Sequence, residues 1–541
     1  MVETQADPYC SGGFGGIIKA KSTLDLRFKG GTMIRKSTKL QMPGISLLLL
    51  LVLTMLFYSC STKPEEISLS GTVVLENDTG NQANDPPDHS GITIALYNTV
   101  ALDTAIVRSN IEYPEIGVII SQETEFDHRR QNPVFSGSTG ADGKFKLNGI
   151  AKGRYNIMYG KTGWGWRYIY NCEIGNGSNN LASFLVSGEA KLFPEYQISN
   201  FDSLDLLKED HTYIVPTSAT ITHGLQIESG ANLLLGLGVD LTITGDLSTR
   251  ETGSGRYSLI SVAGDVVDYG HCFGRILVQG DVILTRVRYS NTMNGLQFRY
   301  GDVALSHIRG QIGPTSLLLR ENSSVHASKL TISDIGILDT TEGYLGITTT
   351  TEGGIDLTSC QNTLIEKSVF IRCLSGVRVR EYCKAEVANC YLVNNSIGLE
   401  VANNNSLIQN NHFAGNYCLD TRLYGTCSPT VTKNCFYSKR GANVGYNVIQ
   451  TFINCTPVIT FNNFSCQTMA IRIIGYNNYD VTANYNYYNT NDPEKIEQLI
   501  IDQNDYNPSD ISNMVHVGTG YILYLPYRTS RVPDAGIRGG S

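Results

Sequence analysis

The sequence predicts an all-β chain in which short alternating strands precede a long solenoid. Three observations carry that expectation. Related segments recur about every 21 or 22 residues: TLIEKSVF from Thr363, AEVANCYL from Ala385, SLIQNNHF from Ser406, TVTKNCFY from Thr430 and DVTANYNY from Asp480. Asparagine recurs in one column of these copies at Asn389, Asn410, Asn434 and Asn484, joined by Asn462 of VITFNNF. Charged residues make up only 17 % of the chain, while Gly (54) and Tyr (30) are abundant, which suits short strands with frequent turns. A repeat this short must bury its apolar face on its neighbours, so it implies a stack of rungs.

The N-terminus reads as an address. Arg35, Lys36 and Lys39 precede the apolar run Ile45–Tyr58, which ends at Ser59-Cys60. That run is short for a membrane span, and a basic-then-apolar order closed by a small residue reads as a secretory signal. The segment resembles a bacterial lipoprotein signal, with Phe57 and Tyr58 bulkier than that family's usual residues. The resemblance implies cleavage before Cys60 and lipid on Cys60, hence a lipid-anchored protein of the bacterial envelope, at the outer membrane or cell surface. An uncleaved membrane anchor is the alternative. Met33 lies just before the basic stretch, so residues 1–32 read as an extension, 33–59 as signal and 60–66 as a polar tether. The net charge of −8 becomes 35 − 47 = −12 without residues 1–59, and an acidic balance argues against nucleic acid as partner.

Residues 67–188 contain alternating strands at Ile67–Val74, Ile92–Tyr97, Lys144–Leu147 and Arg154–Tyr159. Asp142-Gly143 demands a tight hairpin turn, and the alternation after it places Phe145 and Leu147 on one buried face. Ser70-Gly71-Thr72-Val73, Gly91-Ile92-Thr93-Ile94, Thr139-Gly140-Ala141-Asp142-Gly143-Lys144-Phe145 and Gly153-Arg154-Tyr155 resemble the carboxypeptidase regulatory-like domain. The resemblance implies a small β-sandwich acting as a non-catalytic spacer. Residues Ala101–Pro133 depart from the pattern as an insertion.

After a linker over 189–211, residues 212–490 carry the rungs. Leu225–Ala231 and Leu241–Leu247 resemble the opening coils of right-handed parallel β-helices of the pectate-lyase-like superfamily. Strands at Asp281–Leu284, Asp302–Leu305 and Ser324–Ala327 continue the series, broken by the Thr/Gly-rich loop Ser333–Gly353. A loop of that length on a solenoid tends to lie on the binding side. Residues 491–541 read as cap and tail, with a helix over Pro493–Asp502 and a last strand over Tyr521–Tyr524.

The outward positions of the strand after each recurring glycine are where chemistry could sit. Aligning Gly354, Gly376, Gly398 and Cys418 stacks Asp356, Arg378, Glu400 and Asp420, and two places on stand Arg299, Arg320, Thr358, Arg380, Ala402 and Arg422. Solvated charges paired with one another are the simplest reading. Ligand binding by Arg299, Arg320, Asp356, Arg380 and Arg422 is the second, because a guanidinium fork matches the anionic groups of an extracellular polysaccharide. Catalysis is the third. Glu400 and Asp420 would form an acid/base pair of a glycosidase, or Arg378 would neutralise a uronate while Lys384 removes a proton, as in a lyase. A structural or adhesive surface protein without catalysis is a further reading.

No cofactor is indicated. No dense Asp cluster suits calcium, and His307 and His412 stand on separate rungs, so no metal is expected. Tyr476–Tyr488 reads equally as sugar-stacking or as packing under the cap. Nine of the thirteen cysteines fall between Cys360 and Cys466 without CxxC spacing. They read as small buried hydrophobes stacked along the rungs.

Overall fold

The computed structural model describes residues 66–77, 88–185, 189–198, 204–264, 266, 270–336, 353–437, 447–465, 469–475, 477–505 and 519–538. The expected signal segment, Cys60 and most of the Ser333–Gly353 loop lie outside the described residues.

The N-terminal module is built of two four-stranded sheets. In one, Ser68–Leu75 pairs antiparallel with Lys144–Asn148 and parallel with Ser178–Asn180 and Ala190–Leu192. In the other, the order is Phe135–Ser138, Thr93–Asn98, Gly153–Gly160 and Trp166–Ile174, all antiparallel. Phe145 and Leu147 alternate inward as their spacing requires and share one core with Leu69, Ile94 and Ile157. Gly143 adopts φ +73°, and a Cβ there would stand 2.5 Å from Val73 O, so this turn requires glycine.

Three parallel sheets of 13, 12 and 12 strands form a parallel β-helix. One rung runs through Thr363–Glu366 of the first sheet, Val369–Ile371 of the second and Ser375–Val379 of the third. The next rung begins at Ala385, with Thr363 opposite Ala385 and Ile365 opposite Val387. Inward residues such as Val377, Val379, Leu399, Val401 and Thr421 are buried, and the register holds because a one-residue slip would turn them all outward.

The asparagine column resolves into two neighbouring positions. Asn389 and Asn410 occupy the left-handed corner between the first and second sheets, a site held by Lys433, Phe461 and Tyr485 on later rungs. The ladder itself consists of Asn411, Asn434, Asn462 and Asn486. Asn411 N donates to Asn434 Oδ1, Asn434 N to Asn462 Oδ1 and Asn462 N to Asn486 Oδ1, each at 2.9 Å. Asn484 therefore yields its expected place to Asn486. The side-chain amides donate back to strand carbonyls, as Asn462 Nδ2 does to Val431 O at 2.9 Å, so the buried corner leaves these groups satisfied. Beside this ladder Phe413, Phe436, Phe464 and Tyr488 stack face to face at 4.8, 5.0 and 5.3 Å. Tyr488 thus belongs to the core, whereas Tyr479 and Tyr485 are exposed.

Parallel pairing begins earlier than the repeats suggest. Glu195–Gln197 pairs with Thr212–Ile214, and Leu206–Leu207 with Gln226–Ile227, both within the stretch read as a linker. At the other end the helix spans only Pro493–Glu497, after which Ile500–Ile501 joins the third sheet and Ile522–Leu523 the first.

The insertion packs the N-terminal module against the solenoid. It forms a helix over Thr104–Glu112, capped by Asp103, and a short helix over Gln122–Glu125 with a capping box. Ile106, Ile116 and Val118 pack on Val369, Ile371, Tyr391 and Val393, the outward residues of the second sheet. Arg288 Nη1 donates to Glu123 O and Phe126 O at 2.7 Å, Arg129 Nη1 to Val262 O at 2.7 Å and Arg130 Nη2 to Asn291 Oδ1 at 2.9 Å. The insertion is a clamp.

Candidate functional site

Part of the second sheet is covered by this clamp and part by the C-terminal segment around Val532, and the charged columns stand on the third. Strand pairing places Leu318, Asp356, Arg378, Glu400, Arg422, Gln450 and Arg472 in one column. Arg299, Arg320 and Thr358 align two places further on. Asp420 is not in the first column, and Arg422 is not in the second. Arg422 stands opposite Glu400, and Tyr424 takes the place beside Ala402. Aligning on Cys418 shortens one step, and a slip of two preserves which side chains point outward, so alternation alone does not detect it.

Asp420 instead neighbours Gly398, where a Cβ would stand 2.6 Å from Asp420 O. A Cβ on Gly376 would likewise stand 2.6 Å from Gly398 O, so glycine lets the rungs close there. Asp420 is fully buried and accepts from Asn416 Nδ2 at 2.7 Å.

Asp356 is the centre of the cluster. Its side chain is fully buried, with Arg320 Nη1 2.8 Å from Oδ1 and Arg380 Nη2 2.8 Å from Oδ2. Arg380 Nε adds a bond at 2.9 Å, making a two-pronged pair. Arg320 Nη1 also donates to Leu319 O and Asp356 O. Glu400 is buried, accepts from Ser375 Oγ at 2.5 Å and lies 3.6 Å from Arg378 Nε. Burial by itself lowers the pKa of Arg378, and Glu400 and Asp356 more than offset it, so the guanidinium stays charged. Arg378 also bonds to Tyr424, whose hydroxyl pKa is raised by burial, and the Arg422 guanidinium lies 5.3 Å from the Tyr424 ring centroid.

The two ends of the run differ from its middle. Among the described residues neither Arg299 nor Arg472 has a carboxylate partner, whereas Arg320, Arg378 and Arg380 each lie within 4 Å of one; the buried Nε lacks an acceptor at Arg299 and Arg472 as it does at Arg378 and Arg422. Burial lowers the pKa of Arg472 with no acid to offset it. Sequence reasoning missed Arg472 and Tyr424: the step from Arg422 to its partner Gln450 is 28 residues where the two before it are 22, so extending the period does not reach Arg472.

The remaining sequence candidates lie elsewhere. Lys384 is exposed in the turn into the first sheet. His307 holds a left-handed corner, and His412 packs under the clamp, where its Nδ1 meets Tyr113 OH at 2.5 Å. Among the described residues no group of three or more His, Cys, Asp or Glu is placed to hold a metal ion.

Fold and site together define an all-β protein of the parallel β-helix class that carries an arginine-rich outer face. The chain matches no protein-family model, no curated protein and no solved structure at a significant level.

Proposed function

We propose that this is a lipid-anchored envelope protein whose β-helix binds an anionic extracellular polysaccharide along the third sheet. The observation that carries the reading is the run from Arg299 to Arg472, which includes Arg320, Arg378, Arg380 and Arg422. The buried carboxylates Asp356 and Glu400 pair with Arg320, Arg378 and Arg380, while the end guanidinium groups have no carboxylate partner among the described residues. Seven rung steps separate the ends, about 34 Å at ~4.8 Å per step, room for several sugar units. Resemblance of the rungs to right-handed pectate-lyase-like helices supports a carbohydrate ligand, and lipid on Cys60 would hold the protein at the bacterial surface.

Binding is favoured over catalysis by Glu400 and Asp420. Glu400 faces Arg422 instead of a second carboxylate, which removes the like-charge argument for an acid/base pair.

Retention on immobilised polygalacturonate, heparin and neutral dextran tests the reading. The protein is expected to bind an anionic matrix and pass through dextran. Replacing Arg299 and Arg472 with glutamine should weaken binding by roughly tenfold, since each solvent-exposed charge pair is worth about 0.2–1 kcal/mol and tenfold is about 1.4 kcal/mol. Passage through both anionic columns would sink the proposal. Absorbance from newly unsaturated uronate ends would instead show a lyase.

A further inference from the structure

Cysteines and asparagines share the corner that leads into the first sheet. Cys360, Cys427 and Cys455 each lie three residues before a strand of that sheet, at Thr363, Thr430 and Val458. Asn322 stands three before Val325 and Asn404 three before Leu407. Asparagine here bonds to backbone, as Asn404 Nδ2 does to Val379 O at 3.0 Å and Asn477 Nδ2 to Cys455 O at 2.9 Å.

Cys427 and Cys455 differ from Cys373 and Cys390, and a second neighbouring pair, Cys360 and Cys383, shares a thiol hydrogen bond. Cys427 and Cys455 are bridged residues on adjacent parallel rungs, and Thr456 N donates to Cys427 O at 2.8 Å. Their sulfur atoms lie 2.7 Å apart, inside ordinary van der Waals contact. Parallel neighbours in register have Cα atoms about 4.8 Å apart, within the roughly 4.4–6.8 Å that a disulfide spans. Both residues are buried, at 4 % and 0 % exposure, and the other acceptor near the Cys427 thiol, Tyr424 O, is farther away at 3.5 Å. By contrast Cys373 and Cys390 point their thiols at carbonyls, Ile371 O at 3.5 Å and Ala388 O at 3.3 Å. Those two fit the expectation of small core residues, and the Cys427 pair does not.

We infer that Cys427 and Cys455 form a disulfide that staples two neighbouring rungs. It closes while the rungs assemble, before burial shuts out the oxidant, and the co-reactant is a small-molecule or protein disulfide. The Cys427 thiolate attacks one sulfur of that disulfide, forming a mixed disulfide and releasing one thiolate. The Cys455 thiolate then attacks the Cys427 sulfur, forming the Cys427–Cys455 bond and releasing the second thiolate. The two protons lost by the cysteines are taken up by the two released thiolates. The oxidant is thereby reduced by two electrons.

Refolding the full chain from denaturant in a mixture of oxidised and reduced glutathione tests the inference. Free thiols are then alkylated under denaturing conditions and the digest is read by mass spectrometry. The expected product is one cross-linked peptide joining the segments of Cys427 and Cys455, two hydrogens lighter than their sum. Reduction should lower the thermal midpoint by roughly 5 °C, because the bond closes a loop in the unfolded chain. The variant carrying both Cys427→Ala and Cys455→Ala should still fold, lack the cross-link and show no shift on reduction. Complete alkylation of both cysteines in the refolded wild-type protein would overturn the assignment, as would a cross-link from either residue to a different cysteine.

Discussion

Glu125 accepts two bonds from Arg309, from Nε at 2.7 Å and from Nη2 at 2.9 Å, across 184 residues of sequence. Gln311 Nε2 adds a third bond to Glu125 at 2.6 Å, while Arg309 Nη1 donates to Gly310 O and Ser333 Oγ. Both side chains are nearly buried. Removing one partner of such a pair leaves a charge without water or counter-ion. Arg309→Met is therefore expected to cost about 3–5 kcal/mol, and pairing it with Glu125→Leu should recover much of that loss. Chemical denaturation of the single and double variants measures the difference. Equal losses in both would show that the pair is not what ties the insertion to the helix.

Acid should loosen the same clamp before it unfolds the solenoid. Burial lowers the pKa of His412 from 6.5 to about 3, and that of His128 from 6.5 to about 4. Between those values the unfolded chain binds protons that the folded chain does not, so stability rises with pH. The contribution of the neutral imidazoles is complete above pH 6.5 and is lost as the pH falls toward their folded values. Glu125 adds loss in the same direction: burial raises its carboxyl pKa, Arg309 outweighs that, and the net depression costs stability as acid protonates it. A thermal midpoint that falls from pH 7 toward pH 4, with a shallower fall in His412→Phe, is the expected result. An unchanged slope in that variant would remove His412 from the account.

Asn462 is fully buried and serves four partners, the backbone N of Asn434, Val431 O, Thr460 O and Asn486 Oδ1. Asn462→Leu strands several of these groups without water. A loss of about 2–4 kcal/mol follows from roughly 1–3 kcal/mol for each unsatisfied group, with some relaxation. Asn410→Ala, at the neighbouring corner, should cost less, because only a left-handed preference and its bond to Arg538 are lost. Urea titration of the two variants distinguishes the ladder position from the corner position.

Asp356→Asn separates stability from ligand binding. Arg320 and Arg380 would keep a neutral acceptor in place of a buried carboxylate, at a cost of about 3–5 kcal/mol. The face gains one net positive charge, so retention on an anionic polymer should hold or strengthen at a temperature where the variant is folded. Loss of retention in the folded variant would mean that Asp356 itself meets the ligand.

The strands of the rungs were legible because inward positions such as Val377, Val379, Leu399 and Val401 alternate with period two and recur 22 residues apart. The hairpin at Asp142-Gly143 was legible because only glycine fits its backbone. Charged columns were legible as a face but not in their final register. The shift of two residues that separates Asp420 from Arg422 leaves the inside-outside pattern intact, so only strand pairing reveals it.

By itself the amino-acid sequence determined that this chain stacks rungs into a solenoid, since a 22-residue unit has no other way to bury its apolar face. Tertiary structure decided which asparagines form the ladder, which carboxylate each arginine meets, and that residues 101–133 grip the second sheet. Those contacts join residues tens to hundreds of positions apart. Their energy comes from burial and pairing, which no local pattern encodes.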